Sequence, residues 1–178
     1  MAKIILVTGG ARSGKSQFAE TTTLGLRKSG DKPAFYIATS EPFDTEMRGR
    51  IALHQQRRGA EWQSVEEPVD LASALEQTDN TDGQPRLIDC LTLWLNNLIY
   101  YGHDVEAMTA QLSETLLGQQ ADMVFVTNEI GSGMVPENPQ MRLFRDQAGL
   151  LTQRLAKQAT EVYVTISGIA VNIKSDMR

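Results

Sequence analysis

Eight consecutive residues near the start of the chain, Gly9, Gly10, Ala11, Arg12, Ser13, Gly14, Lys15 and Ser16, follow the pattern G-x-x-x-x-G-K-S/T. They stand between an apolar run at 4–7 and a segment of helical character. This strand–loop–helix setting constrains the fold more than any other feature of the chain. Glycine permits backbone geometry that turns successive N–H groups inward around phosphate oxygens. Lys15 is suited to the β/γ-phosphates and the Ser16 hydroxyl to a Mg²⁺ ion. The helix that follows directs the positive end of its dipole at the same anion. Arg12 adds a cation for the phosphates or for a transition state. A glycine-rich turn that matched by chance would need neither flank. The chain is therefore expected to bind a nucleoside triphosphate and to use it in a reaction.

The rest of the chain repeats that alternation. Short apolar runs at 4–7, 34–38, 87–88, 123–126 and 162–166 read as strands buried on both faces, the third resting on the least sequence. Helices are expected from the loop to about 29, with Gly30 as a stop, and over 44–58, 91–101 and 105–119. Another opens at Asn138-Pro139, with Met141, Phe144, Ala148, Leu151 and Leu155 on its core face. Ser167-Gly168 turns the chain into a last short strand at 170–173. The predicted fold is α/β and P-loop NTPase-like: a mostly parallel central sheet flanked by helices, with a C-terminal hairpin strand, in one domain over 1–178.

Composition excludes several classes. Twenty-two acidic against 17 basic residues give a net charge of −5, which offers no global attraction to nucleic acid or acidic membranes. No run approaches the length of a membrane span, and the start of the chain lacks a signal-peptide pattern. One cysteine, Cys90, cannot pair within the chain, and no Cys/His cluster of zinc type is present. The expected setting is cytoplasmic.

A P-loop site needs a carboxylate at the end of another strand to hold the metal, directly or through water. Asp89 is the candidate, and it can also serve as base for an acceptor hydroxyl; the alternative makes it the N-cap of the following helix. His54 lies among cations: on a helix over 44–58, Arg50, Arg57 and Arg58 fall one turn to either side, with Met47 and Ile51 on its own face. Positive neighbours favour neutral imidazole, a nucleophile, while arginines hold phosphates. The alternative is a surface histidine on a basic amphipathic helix. His103 reads as a helix-boundary residue.

Taken together, these segments resemble the bifunctional adenosylcobinamide kinase/adenosylcobinamide-phosphate guanylyltransferase family of cobalamin biosynthesis. The likeness covers ILVTGGARSGKS at 5–16, YIATS at 36–40, D-x-E-M-x-x-R-I-x-x-H at 44–54 and W-x-x-V-E at 62–66. It continues in IDCLTLWLNNL at 88–98, VTNEIGSGMVPEN at 126–138, FRDQAG at 144–149 and SGIAVNIK at 167–174. The resemblance implies two transferase reactions. A triphosphate, ATP or GTP, phosphorylates the aminopropanol hydroxyl of adenosylcobinamide; GTP then guanylylates a histidine, and adenosylcobinamide phosphate takes the GMP to give adenosylcobinamide-GDP. His54 matches the guanylylated position. Gly9–Ser16, Ala38, Thr39, Ser40, Gln55, Gln56, Arg57, Arg58, Glu66 and Asp89 match nucleotide contacts, and a homotrimer is implied. Glu66 would meet the base or the ribose, or else merely precede a helix. Leu53 and Thr152 depart from relatives that carry a second histidine and an asparagine. Glu129 is a candidate acid/base or outer metal group on the 126–138 loop. A P-loop kinase without the guanylyl step and a GTP-dependent switch are the competing readings. The second lacks an N-K-x-D guanine signature, and its only D-x-x-G match, at 146–149, falls inside a predicted helix.

Overall fold

A computed structural model describes residues 2–28, 32–42, 45, 48, 49, 52, 58–133 and 135–174. The strands are β1 (Ile4–Gly9), β2 (Ala34–Ala38), β3 (Trp62–Glu66), β4 (Arg86–Asp89), β5 (Met123–Asn128), β6 (Glu161–Ile166) and β7 (Ile169–Asn172). The helices are α1 (Lys15–Gly25), α2 (Leu71–Gln77), α3 (Leu91–Tyr100), α4 (Val105–Gly118) and α5 (Pro139–Gln158). All seven strands form one sheet in the order β3-β2-β4-β5-β1-β6-β7. β7 alone runs antiparallel, folded back on β6.

The most apolar strands, β1 and β5, lie at the centre, where both faces are covered. One face packs Ile5, Val7, Tyr36, Leu87, Val124 and Val126 around Ala19 of α1. The other carries Leu6, Ile37, Ile88 and Phe125 against α2, α3, α4 and α5, with Trp94 and Leu151 among the side chains between. Alternation along each strand therefore sorts residues between the face that meets α1 and the face that meets α2, α3, α4 and α5.

Arg86, fully buried at the start of β4, fixes that strand's level. Its guanidinium donates to the carbonyls of Leu75 and Ala121 at 2.7 Å, to the Gln119 side chain, and to Asp79 at 3.2 Å. Burial pulls its pKa down to about 10, against the opposing pull of Asp79 and Asp122. At the other end of the sheet, the Asn97 side chain of α3 donates to the carbonyls of Thr39 and Pro68, at 2.7 and 3.0 Å. This pins the loops that leave β2 and β3.

Several expectations need correction. β3 was not among the expected strands: Trp62 and Val65 do not alternate strictly. It forms as the outer strand by pairing along its whole length with β2, half exposed. β6 is not buried on both faces. It has only the β7 hairpin on its outer side, and Ile166 is 65% exposed. Met141 is 60% exposed, so the inward stripe of α5 begins at Phe144. A 20-residue helix is about 30 Å long and a six-residue strand about 20 Å. The first turn of α5, entered from the C-terminal edge of the sheet, therefore has no strand beneath it. α1 stops at Gly25, where Leu26 N–H returns to Thr23 O at 3.0 Å, and Gly30 lies outside the described residues. Of the helix expected over 44–58, Thr45, Arg48, Gly49 and Ala52 are helical and Arg58 is not; the others lie outside the described residues.

Candidate active site

The six parallel strands bring their C-terminal ends to one edge, where ligands gather in open α/β sheets. Register fixes which residues meet there. Ala38 pairs with both Glu66 and Asp89, Asp89 with Val126, and Val126 with Val7. Two residues further on, Gly9 pairs with Asn128 and Thr165. By alternation all these residues stand on the α1 face, the face onto which the P-loop opens. One strand, β5, separates β1 from β4, so Asp89 lies about 10 Å along the sheet from β1, and Glu66 about 19 Å.

The loop between β1 and α1 holds its shape through left-handed residues and a brace from the far end of the chain. Arg12 and Gly14 have φ of 57° and 91°. Arg12 and Ala11 are exposed, Lys15 and Ser16 half-buried. The Lys15 ammonium donates back to Gly10 O at 3.2 Å. The brace is the β6–β7 turn: Gly168 N–H donates to Ser13 O at 3.0 Å, and the buried hydroxyls of Ser13 and Thr165 meet at 2.7 Å. A Cβ on Gly9 would stand 2.3 Å from Thr165 Oγ1. A Cβ on Gly14 would stand 3.1 Å from Gly168 Cα. Gly9 is thus required by close approach, and Gly14 by its left-handed backbone.

Asp89 is not the N-cap of α3. That position belongs to Cys90, which makes no side-chain cap. The Asp89 carboxylate instead accepts a hydrogen bond at 2.6 Å from the hydroxyl of Tyr36. Burial, then the charge of Asp89, push the Tyr36 phenol far above its ordinary pKa, so it remains a donor. The Arg58 guanidinium lies on the face of the same ring, 3.5 Å from its centroid, and Trp62 meets it edge-on at 5.4 Å. Arg58 Nη1 also donates to Ser64 Oγ at 3.3 Å and stands 3.9 Å from Glu66 Oε1. Glu66, Ser64, Arg58, Tyr36 and Asp89 form one continuous chain across three strands.

Of the other predicted positions, Ala38 and Thr39 are buried and Ser40 half-buried. The Thr39 hydroxyl donates to Cys90 O at 2.7 Å and accepts from Cys90 N at 2.9 Å, fixing the chain just beyond Asp89. Burial, then Asp89, push the Cys90 thiol up to about 12, so it stays protonated and supplies no thiolate. Glu129 turns its carboxylate onto its own loop, accepting from the N–H groups of Gly131 and Ser132 at 2.7 and 3.0 Å. His103, exposed, falls between α3 and α4. His54, Gln55, Gln56 and Arg57 lie outside the described residues, as do Met47, Arg50 and Ile51.

Sequence reasoning missed Tyr36, Thr165 and Gly168. A buried tyrosine needs a partner for its hydroxyl, and that requirement was the one available signal for Tyr36. No local pattern marks a threonine 152 residues from the serine it touches.

The model of the cobinamide kinase / cobinamide phosphate guanyltransferase family matches residues 5–173. The bifunctional adenosylcobalamin biosynthesis protein CobU of Escherichia coli (strain K12) is 40% identical over 187 residues, covering 96% of this chain and 99% of its own. The bifunctional adenosylcobalamin biosynthesis protein CobP of Pseudomonas aeruginosa is 38% identical over 173 residues, covering 96% and 97%. Among solved structures, a KaiC-like protein from Pyrococcus horikoshii aligns with a TM-score of 0.57 at 14% identity, over 98% of this chain and 80% of its own. The flagellar accessory protein FlaH from Methanocaldococcus jannaschii aligns at 0.52 and 13%, over 98% and 79%. These two establish the P-loop NTPase-like fold alone.

Proposed function

The chain belongs to the cobinamide kinase / cobinamide phosphate guanyltransferase family, and we propose that it carries out both reactions of that name at one triphosphate site, Gly9–Ser16, which holds a separate nucleotide for each. In the first, the aminopropanol hydroxyl of adenosylcobinamide loses its proton and attacks the γ-phosphorus of ATP or GTP, and ADP or GDP leaves. In the second, an imidazole nitrogen of His54 attacks the α-phosphorus of GTP. A P–N bond forms, the bond to pyrophosphate breaks, and pyrophosphate leaves. The phosphate of adenosylcobinamide phosphate then attacks that phosphorus, displacing His54 and giving adenosylcobinamide-GDP.

The observation that carries this reading is the shared face: the P-loop, Asp89 and Arg58 open on the same side of the sheet edge. Kinase chemistry is mainly positioning and electrostatics. The loop's N–H groups and Lys15 hold the β/γ-phosphates, and Arg12 sits exposed beside them. Guanylyl transfer splits one displacement into two at a nucleophile whose arginine neighbours hold the phosphates. Ala38, Ser40 and Glu66, on the strand ends beyond Asp89, are in a position to meet the nucleoside.

The donors suit Mg²⁺. Ser16 and Asp89 offer hard oxygens, and Asp89 Oδ1 accepts no hydrogen bond among the described residues. The described residues contain no group of three or more His, Cys, Asp or Glu side chains that could hold a metal ion. When bound, Mg²⁺ would neutralise charge on the β- and γ-phosphate groups. The described residues include no helix long and apolar enough to cross a membrane. A cytoplasmic setting follows from a substrate pool of nucleoside triphosphates.

A homotrimer is part of the proposal. Ile166, Ile169, Val171 and Ile173 are exposed together on the outer hairpin, a surface that a second copy would bury. The experiment for the function is product analysis: ATP, GTP and adenosylcobinamide should yield adenosylcobinamide phosphate and then adenosylcobinamide-GDP. The phosphate as sole product would reduce the protein to a kinase.

A further inference from the structure

We propose that Tyr36 is a positioning residue joining the two chemistries: its hydroxyl orients the Asp89 carboxylate for the metal, and its ring face seats Arg58 for the nucleotide. The inference rests on the reading of Asp89 as metal ligand and Arg58 as nucleotide contact.

Tyr36 lies mid-strand in β2, 1% exposed, between the strands that end in Glu66 and Asp89. A buried phenol needs a hydrogen-bond partner, and any carbonyl would satisfy it. Here it takes Oδ2 of the one carboxylate at the sheet edge that faces α1 from β4. A hydrogen bond to an ionised acceptor is among the stronger ones. It holds the carboxylate against rotation and leaves Oδ1 as the oxygen that would serve a metal.

The ring does separate work. Arg58 is nine-tenths buried, yet among the described residues its Nε has no hydrogen-bond partner, and Nη1 reaches only Ser64 at 3.3 Å and Glu66 at 3.9 Å. Among the described residues few directional bonds hold this guanidinium, and the aromatic face lies 3.5 Å from its central carbon. The ring therefore sets where the Arg58 guanidinium sits beside β3. Trp62 packs edge-on against the same ring and keeps it from turning.

The two contacts can be separated. Tyr36→Phe removes the hydroxyl and keeps the ring; Tyr36→Met removes both at similar bulk. GTP binding is measured by calorimetry across a Mg²⁺ series, with thermal melting to verify folding and Asp89→Asn as reference. The Phe variant should bind metal-free GTP as the wild type does but need about tenfold more Mg²⁺ to reach its high-affinity state. The Met variant should also lose metal-free affinity, by about threefold. If Asp89→Asn loses the Mg²⁺ response while Tyr36→Phe keeps the wild-type midpoint, Tyr36 does not position Asp89 and the inference fails alone. If Asp89→Asn keeps the wild-type response, the reading of Asp89 fails and the inference with it. A Met variant that folds with unchanged metal-free affinity overturns the seat for Arg58. Should that variant not fold, Arg58→Met supplies the same comparison, and wild-type metal-free affinity in it overturns the seat.

Discussion

The hydroxyl oxygens of Ser13 and Thr165 stand 2.7 Å apart in a buried contact that joins the nucleotide loop to the penultimate strand, 152 residues later. Thr165 Oγ1 also lies 3.2 Å from Thr8 O, where it donates to the strand that delivers the loop. Gly168 N–H adds a bond to Ser13 O on the same side. The P-loop is therefore shaped from both ends of the chain, and the C-terminal hairpin belongs to its support.

Replacing Thr165 by valine keeps the volume and strands the Ser13 hydroxyl without a partner. We expect a loss of about 1–3 kcal/mol in stability, read from urea unfolding. GTP affinity should fall with it, because the loop loses its outer brace. Unchanged affinity would show that Gly168 alone suffices.

Two glycines of the loop should respond differently to alanine. Gly14 has φ of 91° and a Cβ there would meet Gly168 Cα at 3.1 Å, so G14A carries about 1–2 kcal/mol of backbone strain besides the crowding. Gly10 has nothing within 4 Å of its would-be Cβ. G10A should leave stability within about 0.5 kcal/mol of the wild type, so any loss of GTP affinity reports the close approach of phosphate. Thermal melting and calorimetry on both variants check this.

Arg86→Ala removes the cation that Asp79, Gln119 and two carbonyls surround. Breaking a buried pair from one side costs about 3–5 kcal/mol. Denaturant unfolding should show a loss of that order, and nucleotide affinity should drop as well, since β4 carries Asp89 three residues on. A loss below about 1 kcal/mol would mean that the network is not what holds β4.

Glu161 supplies a pH signature. Hydrogen bonds from Lys3 and Tyr163 hold its carboxyl below the ordinary range in the folded chain. The folded state then binds fewer protons than the unfolded one. Its contribution is complete above the unfolded pKa and is lost as pH falls through the folded value. Both partners are partly exposed, so the amount is under about 1 kcal/mol. Unfolding free energies measured from about pH 6 to pH 3 should fall less steeply for Glu161→Gln than for the wild type. Identical slopes would assign the acid sensitivity to other carboxylates.

The sequence made the centre of the sheet legible and its margins less so. β1 and β5 read clearly because both of their faces are buried, which demands unbroken apolar runs. β3 did not, because an outer strand is held by backbone pairing that leaves no strict pattern in Trp62–Glu66. Asn138-Pro139 announced the start of α5 by local chemistry, and the cap does accept from Gln140 and Met141 N–H. Met141 was misjudged because helical spacing does not reveal where the sheet beneath ends. At the site, the P-loop is contiguous in sequence and could be read directly. The Tyr36–Asp89 bond spans 53 residues and the Ser13–Thr165 contact spans 152, so each depends on register that only the assembled sheet fixes.

The central claim is that one P-loop site serves a second chemistry at His54. Incubation with GTP labelled at the α-phosphate tests it directly. Acid-labile label is expected on the wild-type protein and none on His54→Ala, with phosphorylation of adenosylcobinamide retained by that variant. Equal label on both proteins, or none on the wild type, would contradict it.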